Sequence, residues 1–321
     1  MKADDLRGKL QELQELALRE NIDIGADINR LADKLAGADE TAWTRVEMAR
    51  HQDRPTTLQY IEMMSERFIE FHGDRAFGDD PALVGGIATI GGVHFTFLGH
   101  QKGHNMKENL RRNYGMAHPE GYRKALRLAQ QAERFNRPIL TIIDTPGAFP
   151  GLASEERGMG EAIARNLREF STLKTPIISV IVGEGGSGGA LGIGVGDRIY
   201  MLENTVYSVI SPEGFASILL RDAKKAQQAA GLMKMTAGDL REFGIIDDII
   251  PEPAGGAQAD HHQIAGRVRG FVLQAHQELA RKRPEHMLRE RSARLLSLGR
   301  FAEEPVAQRR TILSRLFGGN R

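Results

Sequence analysis

The chain has 321 residues, 41% apolar and 26% charged, with a formal net charge of +1 and no cysteine. Such a length holds one large domain with appendages, and the near-zero charge gives no overall attraction to nucleic acid or to a membrane surface. The lack of cysteine excludes disulfides and thiolate zinc sites. With no apolar leader in MKADDLRGKL and no apolar run of bilayer length, the sequence reads as a soluble, intracellular, cytoplasmic protein.

The first fifty residues repeat apolar side chains at helical spacing. Leu6, Leu10, Leu13 and Leu16 form one stripe, and Ile24, Ile28, Leu31 and Leu35 another, broken near Gly37. This pattern predicts a helical hairpin packed on the body or on a partner, being too short in heptads for a long coiled coil. Helical character resumes near Leu58 and is expected to end at Gly73. Strands Leu83 to Ile90 and Val93 to Leu98 follow, joined by Gly91-Gly92, a two-residue hairpin signal. A helix is expected from Pro119 to Phe135.

Strand, glycine-rich loop and helix then occur twice: ILTIID–TPGAFPG–LASEERGMGEAIARNLREF, and PIISVIV–GEGGSGG with a helix beginning at Ala190. Alternating strands and helices predict a parallel sheet with right-handed crossovers. Two further strands are expected at Asp197 to Leu202 and Val206 to Ile210. Ser211 before Pro212, and Thr236 with Asp239, read as helix starts. A strand follows over Ile245 to Ile250. Past Pro253 the chain turns helical and then arginine-rich, which reads as a solvated or partner-binding extension. Without interleaved aromatics it gives little support to RNA binding.

The loop Gly183 to Gly189 is the richest in chemical meaning. Glycines let backbone N–H groups approach a ligand, and a helix start aims unpaired N–H groups at one spot, which suits an oxygen that becomes negative. Several motifs compete for it. Gly183, Gly185 and Gly188 fit a dinucleotide-binding fingerprint with Glu203 downstream, but the loop holds more glycine than that turn needs and lies mid-chain. Gly185, Ser187 and Gly189 fit the nucleophile elbow of a serine hydrolase, whose base would have to be His261, His262, His276 or His286. Asp144-Thr145-Pro146-Gly147 resembles a GTPase D-x-x-G without any phosphate loop. Met233-Lys234-Met235 matches the setting of a biotinylated lysine, yet it follows a helix-like run, so a lysine on a helix face is expected. His100, Lys102, Arg111 and Arg112 surround glycine turns and could hold phosphate or carboxylate groups, with a solvated loop as the plain alternative.

Together the segments GDRAFGDDPALVGGIA, GHQKG, RRNYGMAHPEGYRKALRL, IDTPGAFPG, EERGMGEAIARNLREF, GEGGSGGALGIGVGD and YSVISPEG, in this order over residues 40–255, resemble one family. It is that of the alpha subunits of the bacterial acetyl-CoA carboxylase carboxyltransferase. The resemblance implies an α/β ClpP/crotonase-like spiral of ββα units over residues 51–255, with a helical arm at 1–50 and a helical extension at 256–321. It also implies transfer of a carboxyl group from carboxybiotin to acetyl-CoA, giving malonyl-CoA for fatty acid synthesis. Biotin would ride on a separate biotin carboxyl carrier protein, with no metal on this chain. The partners would be a beta subunit (α2β2) and biotin carboxylase in a larger ATP-binding complex.

By the same resemblance, Gly188 and Gly189, with the Ala190 amide close by, would donate to the biotin ureido oxygen. Gly185, Gly186, Gly147 and Ala148 would line the pocket, and Lys102 and Arg112 would meet phosphate or carboxylate groups. A bulky side chain at Gly189 is then expected to abolish transfer without unfolding the chain. The stand-alone alternative is a crotonase-fold hydrolase using Ser187; a purely structural subunit with closely packed glycines is the third.

Overall fold

The computed structural model describes residues 42–299. The two leucine and isoleucine stripes of the N-terminal arm lie outside the described residues, and so does the end of the arginine-rich segment. One mixed sheet organises the remainder. Its strands are β1 (Arg67–Glu70), β2 (Leu83–Ile90), β3 (Val93–His100), β4 (Ile139–Thr145), β5 (Ile177–Gly186), β6 (Arg198–Leu202), β7 (Val206–Ser208) and β8 (Asp248–Ile250). The order is β1-β2-β3-β4-β5-β6-β8, with β7 pairing the far end of β5. Pairing is antiparallel through β3 and parallel from β3 onward.

The helices are α1 (Ala42–Ala49), α2 (Thr57–Met64), α3 (Met106–Arg111), α4 (Pro119–Arg134), α5 (Leu152–Glu156), α6 (Met159–Thr172), α7 (Ser187–Leu191), α8 (Pro212–Leu219), α9 (Ala226–Met233), α10 (Ala237–Glu242), α11 (His261–Ala280) and α12 (Pro284–Ser297). They cover both sheet faces, which is why β4 and the first seven residues of β5 are buried throughout. Alternate residues divide between the two cores. Ile139, Ile143, Ile177 and Ile181 meet the side chains of α4 and α6. Leu140, Ile142, Ile178 and Val180 meet those of α2 and α11.

The expected hairpin forms, with Ile90 opposite Val93 and both turn glycines at positive φ. Ser211 caps α8 by accepting from the Gly214 amide at 3.1 Å, and Thr236 and Asp239 form a capping box. Several assignments differ from expectation. The helix from Leu58 stops at Met64, and Arg67–Glu70 becomes an edge strand that supplies partners to the outer backbone groups of β2, which a continued helix would not do. Only Asp248–Ile250 pairs within the last expected strand, because Gly244 turns the chain at positive φ. Lys234 does not ride on a helix face: it sits just past α9 with φ 52°, its ammonium 3.5 Å from Asp239.

The C-terminal helices are not a solvated extension. Ile264, Val268, Val272 and Leu279 of α11 join the core, and Arg291 of α12 is wholly buried. Its guanidinium pairs with both oxygens of Asp197, at 2.8 and 2.6 Å. It also donates to the carbonyls of Phe170, Leu173 and Thr175. Every donor of the charge is thus occupied, the condition under which a buried pair is tolerable. Removing one side strands the other: Arg291→Ala is expected to cost about 3–5 kcal/mol in urea unfolding, whereas a loss below about 1 kcal/mol would show that α12 is not clamped there.

Candidate functional site

Two strand ends build the site. β4 runs into Pro146-Gly147-Ala148, and β5 runs through Gly186 into α7. The turns touch backbone to backbone. A Cβ on Gly186 would lie 2.1 Å from the Pro146 carbonyl oxygen, and one on Gly189 would lie 2.4 Å from the Gly147 carbonyl carbon and 2.5 Å from the Ala148 nitrogen. No side chain fits either gap. The facing turn is itself fixed: the Thr145 hydroxyl accepts from the Gly147 amide at 3.1 Å, and the Phe149 amide donates to the Ala117 carbonyl at 3.0 Å.

α7 starts at Ser187, not at Ala190 as the sequence suggests, with Ser187 itself left-handed at φ 48°. Gly188 and Gly189 are therefore the second and third helical residues, and their amides have no acceptor within the helix. Ala190 follows at the fourth position, where an amide ordinarily turns back to the residue before the helix. Gly188 has room, since a Cβ there would meet nothing nearer than Ile163 at 3.5 Å. The structure thus brings Gly147, Ala148, Gly186, Gly188, Gly189 and Ala190 together, while Gly185 packs against the Tyr207 ring. It also corrects the expectation for Gly189: a valine there would push two backbones apart, so a lost activity would not be separable from a displaced turn.

Beside the turns lies a polar cavity of about 300 Å³, lined in part by Arg50, Lys102, Tyr114, Asp144, Pro146 and Glu184. Lys102 reaches from the segment after β3 to Asp144 at 2.7 Å and Glu184 at 3.0 Å. Burial opposes its charge, but the two carboxylates outweigh that and hold its pKa above the ordinary lysine range. Burial likewise opposes the Glu184 carboxylate, and Lys102 and Arg50 overcome it, keeping the acid ionised. Arg50 then bridges Glu184 and Glu213, both at 2.7 Å, tying the end of α1 to β5 and α8. Arg112 stands apart from that cavity. It donates to the Pro81 carbonyl at 2.8 Å and has no carboxylate partner among the described residues; burial and Arg111 lower its pKa.

Arg50, Asp144 and Glu184 were not singled out from sequence as site residues. Two signals were present: one acid within an otherwise small-residue loop, and an aspartate closing an apolar strand. The hydrolase alternative lacks its base. Among the described residues no histidine hydrogen-bonds to Ser187: His261 meets the Asp53 carbonyl, His286 pairs with Glu290, and His276 packs on Phe95.

Residues 1–299 match the model of a family described as acetyl co-enzyme A carboxylase carboxyltransferase-like. The chain belongs to that family. The acetyl-coenzyme A carboxylase carboxyl transferase subunit alpha of Treponema denticola is 52% identical over 94% of this chain and its own full length. That of a Geobacillus strain is 52% identical over 93% of this chain and 94% of its own.

Among solved structures, transcarboxylase 12S aligns with a TM-score of 0.59 at 20% identity, covering 72% of this chain and 42% of that one. A Pseudomonas malonate decarboxylase hetero-tetramer in complex with coenzyme A aligns at 0.58 and 19% identity, over 74% and 96%. At such identities the likeness is one of fold, and the expected crotonase-like α/β class holds.

The ion network sets a pH test. The folded pKa of Glu184 lies below its ordinary 4.5, so its contribution is complete above that pH and fades as pH falls through the folded value. That of Lys102 lies above 10.5, so its contribution is complete below that pH and fades as pH rises through the folded value. Lys102→Met is therefore expected to cost about 2 kcal/mol at pH 7. The difference from wild type should shrink as Glu184 protonates in acid. Urea melts at pH 7 and in acid, below the folded pKa of Glu184, check this; an equal cost at each would contradict it.

Proposed function

We propose that this chain is the alpha subunit of a bacterial-type acetyl-CoA carboxylase carboxyltransferase. It moves the carboxyl group from carboxybiotin to acetyl-CoA together with a beta subunit in an α2β2 assembly. The observation that carries this reading is the 52% identity over nearly the whole chain with relatives bearing that name. Biotin would come on a separate carrier protein, within a complex that also holds biotin carboxylase, and the cysteine-free composition suits the cytoplasm.

Biotin supplies a ureido group able to carry a carboxyl group and release it. The residues present fit such a group, because a negative oxygen needs preorganised donors and little bulk. The amides of Gly188 and Gly189 offer two donors in a turn that cannot relax, since Gly186 and Gly189 abut the Pro146–Ala148 backbone. Ala190 stands next in line, and Gly147 and Ala148 form the opposite wall. Lys102, held by Asp144 and Glu184, keeps the ends of β3, β4 and β5 in register beside the adjoining cavity. Arg112, with no carboxylate in ion-pair contact among the described residues, is the better placed of the two for a phosphate or carboxylate of the substrate or carrier. The chain after β7 leaves Val209, Ile218 and Leu219 exposed, an apolar surface suited to the beta partner.

Carboxyl transfer from malonyl-CoA to biocytin tests the reading. This chain alone should be silent and the mixture with a beta subunit active. In the mixture, Gly188→Val should lower kcat by about a hundredfold or more with the fold retained, comparable to losing one oxyanion donor. Activity without the partner, or wild-type rates in that variant, would overturn it.

A further inference from the structure

The inner face of α6 repeats Met159, Ala162, Ile163, Asn166, Leu167 and Phe170, an apolar stripe at helical spacing with one amide set into it. Asn166 is 1% exposed. Its Nδ2 donates to the Gly192 carbonyl at 2.8 Å and to the Tyr122 carbonyl at 3.0 Å, while its Oδ1 is buried without a hydrogen-bond partner. Two carbonyl acceptors on one side fix which end of the amide is the nitrogen. A leucine in the stripe would strand no oxygen, so packing alone does not account for this residue.

What the amide holds is α7. Five residues make little more than one helical turn, too short to keep a direction through their own hydrogen bonds. Gly192 caps the helix, and a carbonyl at a helix end has no amide within the helix to bind. Asn166 supplies that donor. One turn back, the Tyr122 hydroxyl donates to the Gly189 carbonyl at 3.3 Å. A Cβ on Gly192 would lie 2.6 Å from the Tyr122 ring, so the ring packs directly on the helix backbone. Since Asn166 also holds the Tyr122 carbonyl, it ties α4, α6 and α7 together at one point. On its other side α7 abuts the Gly147–Ala148 backbone through Gly189.

We propose that Asn166 and Tyr122 are positioning residues for carboxyl transfer: by holding the Gly192 and Gly189 carbonyls, they set the angle at which the Gly188 and Gly189 amides meet the substrate oxygen. This rests on the carboxyltransferase reading for what those amides do. Both side chains lie in the core and act only through the backbone of α7.

The test assembles Asn166→Leu, Tyr122→Phe and a control, Phe170→Leu, with the beta subunit. Phe170 is a fully buried ring of the same stripe, near the end of α6 that Arg291 anchors, so its truncation should lower the Tm and leave kcat within about twofold. Asn166→Leu should lower kcat about tenfold or more with KM for malonyl-CoA within about twofold, as a displaced reacting geometry does. Tyr122→Phe, which loses only the hydroxyl, should lower kcat about threefold or more. The double variant should lose less than the product of the two, because both act on one helix. Hydrogen exchange of the peptide spanning residues 187–195, whose Gly192 amide bonds to the Gly188 carbonyl, should quicken in Asn166→Leu and not in Phe170→Leu.

Unchanged kcat in Asn166→Leu would overturn the proposal, and so would an equal kcat loss in Phe170→Leu. If Asn166→Leu does not fold, Tyr122→Phe decides, and its unchanged kcat overturns the proposal. If the wild-type mixture itself transfers nothing, the carboxyltransferase reading fails. The exchange comparison then decides the hold on α7 alone, and equal exchange in Asn166→Leu and wild type overturns it.

Discussion

Two backbone turns in van der Waals contact hold this molecule's chemistry in place. Where Pro146–Ala148 faces Gly186–Gly189, there is no space for even a methyl group at the two close positions. Contact of this kind can be made only by glycine, and once made it leaves the turns little freedom. The parallel strands β4 and β5 bring these turns side by side at their carboxyl ends, where open α/β sheets place ligands. The proposed function rests on that placement: amides that cannot turn away are suited to an oxygen that gains charge.

Electrostatics supports the same region from several directions. Lys102 joins the end of β3 to Asp144 and Glu184 at the ends of β4 and β5, while Arg50 carries the link to α1 and α8. Further from the site, Arg291 and Asp197 fasten α12 under the start of β5. These pairs contribute through geometry more than through net attraction, since desolvation offsets much of a buried Coulomb gain. Their effect is to make three strand ends and two helices behave as one support. Tyr122 and Asn166 extend that support beneath α7 with neutral groups, bonding to the carbonyls of Gly189 and Gly192.

Much of the frame was legible as local signal. Gly91-Gly92 between two apolar runs gave the hairpin, and the apolar run before each glycine loop gave β4 and β5. The glycine loop was legible as a place where backbone approaches something. What it approaches was not, because the contact of Gly189 with Gly147 and Ala148 joins segments remote in sequence. The Lys102–Glu184 pair likewise spans 82 residues, and no spacing rule reaches across such a gap. Arg67–Glu70 escaped notice because four residues after a helix carry too short an alternation to separate a strand from a frayed helix end. Arg291 looked like one more solvated arginine, and only the fold reveals the carboxylate and three carbonyls around it.

The most direct measurement is a structure of this chain assembled with its beta subunit and a biotin derivative. The account predicts the ureido oxygen about 3 Å from the amide nitrogens of Gly188 and Gly189, with Gly147 and Ala148 across the pocket. A ureido group seated elsewhere, with those two amides facing solvent or another part of the protein, would contradict the central claim.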